Sequence, residues 1–128
     1  TEPSIDSILK WSKKLLGSPY LWGGKSSFGY DCSGLIQSLL LFKNINLPRD
    51  TKDQICCEYL YSSKLNITKR GDLIYFFEND KPNHVGIFLT SEVFIHSSGF
   101  VKMSSIVKGN IFYDEDLSKM ESEIYKFK

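Results

Sequence analysis

Three side chains in this sequence have the types and spacing needed for nucleophilic catalysis by sulfur. One is Cys32, in the run Tyr30-Asp31-Cys32-Ser33-Gly34, where a glycine-rich loop meets a strongly apolar stretch. The other two are the chain's only histidines, His84 and His96. A helix start presents unpaired N–H groups and the positive end of the helix dipole, and both favour thiolate over thiol. Asp31 is placed to cap that helix. As a carboxylate it opposes the thiolate, and a nearby imidazolium compensates. His84 lies in Asn83-His84-Val85-Gly86-Ile87-Phe88 and His96 in Phe94-Ile95-His96-Ser97-Ser98, on two successive expected strands. In that pairing His84 takes the Cys32 proton, and His96 bonds the far nitrogen of His84 and sets its tautomer. Each residue also has a plainer role: Cys32 as a buried apolar residue, His84 as a rim histidine, His96 as a half-buried strand residue.

Two histidines help only if they reach one place, which depends on strand register. A three-residue loop, Thr90-Ser91-Glu92, pairs Leu89 with Val93 and places Gly86 opposite His96. His84 is two residues from Gly86, so it shares the face of His96 on a diagonal of about 7–8 Å. A loop one residue longer or shorter sends the rings to opposite faces. Gly86, across from His96, leaves room for a ring over the sheet.

The elements that must hold these groups follow from hydrophobic periodicity. Residues 4–16 read as a helix with Ser4 as cap, an apolar stripe of Ile5, Ile8, Leu9, Leu15 and Leu16, and Gly17 at the end. Residues 17–30 are a loop of glycines and aromatics. A second helix from Cys32 to Phe42 is apolar around most of its circumference, which makes it central. Thr51-x-x-Gln54 reads as a capping box opening a third helix to Tyr61, with Cys56 and Cys57 as small apolar residues on it. After Gly71 the period becomes extended. Strands are expected at 72–77, 85–89 and 93–97, then at 101–107 and 111–113, with a turn over 78–83. The tail, 117–128, carries a weak helical pattern. Helices followed by a meander of strands predict an α+β fold with an antiparallel sheet.

Bulk composition narrows the field. At 128 residues the chain is one domain able to bury a core without staples. Sixteen basic and fifteen acidic residues leave a net charge of +1, so there is no nucleic-acid footprint. No apolar stretch approaches the ~20 residues of a membrane span. Thr1-Glu2-Pro3-Ser4 lacks a methionine and a signal-peptide pattern, and reads as the start of an excised domain. The three cysteines have no zinc-ligand spacing and form no disulfide framework, which points to a reducing compartment such as the cytoplasm.

Further side chains flank the expected cleft. Tyr20 and Trp22 are either packing aromatics or, for Tyr20, a hydroxyl donor to an oxyanion alongside the Cys32 N–H. Arg49-Asp50-Thr51 caps a helix, and it lies near the cleft mouth if the third helix packs beside the second.

Six blocks together, spanning residues 5–107, resemble the NlpC-type family of bacterial cell-wall cysteine peptidases, within the papain-like superfamily. They are Gly17-Ser18-Pro19-Tyr20-Leu21-Trp22-Gly23-Gly24, Asp31-Cys32-Ser33-Gly34-Leu35, Leu47-Pro48-Arg49-Asp50-Thr51, Arg70-Gly71-Asp72-Leu73-Ile74-Tyr75-Phe76, His84-Val85-Gly86-Ile87-Phe88 and Phe94-Ile95-His96. The resemblance implies a papain-like α+β fold and a Cys32–His84–His96 triad. It implies hydrolysis of the γ-D-glutamyl–diamino acid bond (meso-diaminopimelate or L-lysine) of a peptidoglycan stem peptide or free muropeptide. No metal or organic cofactor is implied. Tyr20 matches the tyrosine beside the oxyanion site. Asp31 and Ser33 match residues holding the D-glutamate and the free amine, and Trp22 and Thr51 match cleft-lining positions. The Pro-Tyr-Leu-Trp-Gly-Gly form resembles members that trim free stem peptides and often carry upstream SH3-like modules. Residues 108–128 match no motif of the family. Two rivals share the scaffold: an acyltransferase or amidase, and a catalytically silent wall-binding module.

Overall fold

The computed structural model of the chain describes residues 5–17, 25–26, 29–41, 44–98 and 100–128. Its centre is α2 (Cys32–Leu41), which forms because almost every side chain on it is apolar or small, with Leu35, Ile36, Leu39 and Leu40 buried. Asp31 caps it: Oδ1 accepts the Gly34 N–H at 2.7 Å. The shorter helices α1 (Ile5–Lys13), α3 (Thr51–Gln54) and α4 (Glu115–Ser118) surround the sheet. No helix among the described residues is long and apolar enough to cross a membrane.

The strands are β1 (Lys25–Ser26), β2 (Gly29–Tyr30), β3 (Leu60–Ser63), β4 (Leu73–Glu78), β5 (Lys81–Phe88), β6 (Val93–Ser98), β7 (Phe100–Ser105) and β8 (Glu121–Phe127). β1 and β2 form a small ribbon, and the other six make one sheet in the order β3-β8-β4-β5-β6-β7. All its pairings are antiparallel. The α+β, papain-like architecture expected from the sequence is what the chain forms.

Both faces of the sheet are buried. One packs Tyr75, Val85, Ile87 and Ile95 against α1 and α2. The other packs Ile74, Phe76, Phe88, Phe94 and Ile124 beneath Ile106, Leu117 and Met120. At roughly 25 cal/mol per Å2 of apolar burial, these two layers are the main driving force for the fold.

Two irregularities of the β4–β5 hairpin position the site. Asn79 and Asp80 take φ of 52° and 63°, the left-handed pair that a two-residue hairpin requires. Between Phe76 and Phe77 the register then shifts: Phe76 pairs with His84 but Phe77 with Pro82. Asn83 is therefore the extra residue of a bulge directly before His84.

Several expectations are corrected. The first helix ends at Lys13, and residues 14–17 form turns that leave Leu16 exposed. The third helix stops at Gln54, because the Gln54 side chain is drawn into the core instead of back to a cap, and the N-cap is Asp50. Cys56 and Cys57 fall in the following turns, and β3 replaces the expected end of that helix. The turn expected over 78–83 narrows to Asn79-Asp80. Residues 111–113 form no strand, only a parallel bridge between Ser105 and Tyr113. The expected tail helix is instead α4 followed by β8, held between β3 and β4. Ser4 and Phe42 lie outside the described residues.

Glycine at 86 is required by contact. A Cβ there would lie 2.7 Å from Phe94 Cδ2, 3.1 Å from the Ile95 carbonyl oxygen and 3.3 Å from His96 Cβ. Gly86→Ala should lower the unfolding free energy by about 1–3 kcal/mol in urea titration. An unchanged value would mean that Phe94 and His96 yield freely.

Candidate active site

The hairpin places Gly86 opposite His96, with Ile87 opposite Ile95 and Phe88 opposite Phe94. This is the register that the three-residue loop predicts, and the rings meet. His84 Nε2 lies 2.6 Å from His96 Nδ1, and the ring centroids are 4.9 Å apart at 77°. On its far side, His96 Nε2 lies 2.8 Å from Ser104 Oγ, on the neighbouring strand β7. Phe76 flanks His84, and Phe94 flanks His96. His96 is fully buried and His84 half-buried.

This packing keeps both rings neutral. Burial first, then the charge of Lys102, pushes the His84 pKa down to about 4. Burial, then His84, then Lys102 push His96 down to about 3. Lys102 sits directly across from His96 in the β6–β7 register.

Cys32 is buried at the first turn of α2, against the backbone of residues 83–85. Its thiol donates to the Asn83 carbonyl at 3.8 Å, a group the bulge has released from the strand ladder. No hydrogen bond joins Cys32 to His84: the sulfur rests on the bulge backbone, while the two imidazoles pair with each other on the side of the sheet that carries Phe76 and Phe94. Burial, reinforced by the Asp31 carboxylate, raises the Cys32 pKa. The backbone N–H groups of Val85, Ser33 and Cys32 itself pull the other way and do not prevail. The thiolate expected from the helix start is therefore overturned by desolvation and by the adjacent carboxylate. The resting site is a thiol with neutral imidazoles.

Cys32 lines a cleft of about 900 Å3 with Asp31, Ser33, Arg49, Asp50, Thr51, Lys52, Lys81, Pro82 and Asn83. Arg49 braces its wall: Nη1 donates to Ser33 Oγ at 2.9 Å and Nη2 to Asp31 Oδ2 at 2.7 Å. The planar guanidinium thus locks the residues on both sides of Cys32. Thr51 Oγ1 donates to the Pro82 carbonyl at 2.9 Å, tying α3 to the start of β5. Buried Gln54 holds the segment before α3, donating to the Pro48 carbonyl at 2.9 Å and accepting from Tyr75 Oη at 2.7 Å.

Of the residues singled out in the sequence, Cys32, Asp31, Ser33 and Thr51 share this cleft, whereas His84 and His96 pair with each other and are not part of its lining. Tyr20 and Trp22 lie outside the described residues. Ser104, the core hydrogen bonds of Gln54 (read in the sequence as a capping residue) and the bracing role of Arg49 do not follow from the sequence. Their partners sit on other elements, and no local pattern marks them. Among the described residues, no group of three or more His, Cys, Asp or Glu side chains could hold a metal ion.

Comparison with known proteins follows the same lines. The profile of the NlpC/P60 family matches residues 17–120. The chain is 37% identical over 97 residues to the gamma-D-glutamyl-L-lysine dipeptidyl-peptidase of Bacillus subtilis (strain 168), covering 73% of this chain and 32% of that protein. It spans about a third of the length of the curated relatives it matches first. Among solved structures, an NlpC/P60 family protein from Bacillus cereus ATCC 10987 aligns with a TM-score of 0.79 and 25% identity, over 96% of this chain and 40% of that one. The NlpC/p60 domain of the peptidoglycan hydrolase SagA aligns with a TM-score of 0.73 and 25% identity, over 95% and 98%.

The depressed histidine pKa values predict acid sensitivity. Unfolded histidines titrate near 6.5, so below about pH 6.5 the unfolded chain takes up protons that the folded chain refuses until about 4. Stability should therefore fall with pH across that window, by up to about 1.4 kcal/mol per pH unit for each proton. Urea titrations of wild type and of His84→Asn/His96→Gln measure this, with the variant losing less on acidification. Equal slopes would contradict neutral burial of the two rings.

Proposed function

Because the chain belongs to the NlpC/P60 family, we propose that it is a cysteine peptidase cleaving the γ-D-glutamyl–diamino acid bond of peptidoglycan stem peptides. Cys32 is the nucleophile, His84 the base and His96 its orienting partner. The observation that carries this reading is the 2.6 Å contact between the only two histidines, with His84 following directly on Asn83, whose carbonyl accepts the thiol of the helix-start Cys32. The name of the Bacillus subtilis relative, a gamma-D-glutamyl-L-lysine dipeptidyl-peptidase, supports the bond and favours L-lysine or a similar diamino acid.

Substrate entry displaces the Cys32 thiol from the Asn83 carbonyl and turns it toward His84 Nδ1. The sulfur attacks the γ-carbonyl carbon as its proton passes to His84. The oxyanion is held by the Cys32 backbone N–H and the Tyr20 hydroxyl. Collapse breaks the C–N bond, and the leaving amine takes the proton from His84. Water then attacks the thioester, gives its proton to His84, and releases the glutamyl carboxylate. The thiol is restored with that proton.

Arg49 and Ser33 present a polar wall suited to the D-glutamate carboxylate. Asp31 already bonds Gly34 and Arg49, so it meets the substrate amine as a shared charge on that wall. Thr51 lines the cleft, and Trp22 is assigned to it by the family match alone. Asp50, Lys52 and Lys81 at its edge make it charged, which supports a zwitterionic peptide over the lipid-like substrate of an acyltransferase. The shared face of His84 and His96 supports catalysis over a silent wall-binding module.

Incubation with L-alanyl-γ-D-glutamyl-L-lysine and its meso-diaminopimelate counterpart, followed by mass spectrometry, tests the reading. Wild type should release the free diamino acid, and Cys32→Ala should show at least a ~100-fold loss. Equal release by both proteins would remove Cys32 from the mechanism.

A further inference from the structure

The two imidazoles do not end the hydrogen-bonded chain at this site, because His96 Nε2 continues 2.8 Å onward to Ser104 Oγ. Ser104 is nearly fully buried, and His96 is fully so. The chain of contacts is therefore His84 Nε2 to His96 Nδ1, then His96 Nε2 to Ser104 Oγ, across three adjacent strands. A neutral imidazole has one donor nitrogen and one acceptor nitrogen, so fixing one bond in this chain fixes every other. Two directions are possible. If Ser104 donates, His96 carries its proton on Nδ1 and points it at His84 Nε2, leaving the His84 proton on Nδ1. That nitrogen then cannot accept from a thiol. If Ser104 accepts, His96 carries its proton on Nε2, its Nδ1 accepts from His84 Nε2–H, and His84 Nδ1 is free as a base.

We propose that Ser104 is a positioning residue that accepts the His96 Nε2–H and thereby holds both imidazoles in the tautomer in which His84 Nδ1 is the base. This rests on the catalytic roles proposed above for Cys32 and His84. In catalysis His84 becomes an imidazolium, its Nε2–H still donating to His96 Nδ1, and the charge is stabilised by the dipoles of His96 and Ser104 without a carboxylate. Neither imidazole meets a carboxylate among the described residues. The serine hydroxyl thus occupies the place at which a fixed polar group must end the chain.

The chain has only these two histidines, so their ring nitrogens are read directly by 15N NMR of the uniformly labelled protein at neutral pH. Both rings should carry the proton on Nε2 in wild type. Ser104→Ala should shift His96 toward the Nδ1–H form, lower kcat for the stem peptide by about tenfold or more with little change in KM, and distort the acid limb of the pH profile. Ser104→Thr, which keeps the hydroxyl, should restore both tautomers and most of kcat. A wild-type His96 protonated on Nδ1 would overturn the proposal. So would Ser104→Ala with unchanged tautomers and kcat. Because tautomers are read without substrate, an inactive wild type would count against the catalytic reading alone, and the NMR would still decide the role of Ser104.

Discussion

Two imidazoles buried edge to edge across one antiparallel strand pair are the constraint on which the rest of this site depends. At 2.6 Å between nitrogens, one proton must lie between the rings and neither can easily gain a second. Desolvation acts on both, and Lys102 adds to it from the neighbouring strand. The same low-dielectric setting raises the Cys32 thiol, with Asp31 adding its charge. Thiol and imidazoles are thus all held in their neutral forms. In the roles proposed for them, this arrangement calls for proton transfer at the moment of attack and not for a standing ion pair.

The scaffold explains how that arrangement persists. A three-residue loop sets the β5–β6 register, and Gly86 supplies the space in which His96 lies. The bulge at Asn83 frees a carbonyl that receives the thiol. On the opposite wall, Arg49 fastens Asp31 and Ser33 to each other. Gln54 and Tyr75 fix the segment from which Arg49 reaches. These polar groups are satisfied inside the fold, so their geometry is held by many bonds at once. The cleft lining carries charges of both signs at Asp50, Lys52 and Lys81.

Much of this was legible in the sequence wherever a local rule decides the outcome. The histidine register followed from loop length, because strand side chains alternate with a period of two. Asp31 as a helix cap and α2 as the central helix followed from residue type and periodicity. Other parts depend on partners distant in sequence. Glu121-Ser122-Glu123-Ile124-Tyr125-Lys126-Phe127 becomes β8 because β3 and β4 hydrogen-bond to its two edges, which its weak helical pattern does not reveal. Gln54 looks like a capping residue until Tyr75 and Pro48 claim its amide. The Cys32 ionisation is not legible in the sequence, because a helix start can be assigned from sequence whereas burial cannot. Ser104 gave no signal at all, since only the β6–β7 pairing carries it to His96.

The most direct test of the neutral resting site is the pH dependence of Cys32 alkylation by iodoacetamide, in a Cys56→Ser/Cys57→Ala background so that one thiol reacts. With the thiol raised by burial and Asp31, the rate should climb steadily from about pH 6 through pH 9 without levelling off near neutrality. A plateau already reached at neutral pH would reveal a standing thiolate–imidazolium pair and contradict the neutral assignment of both groups.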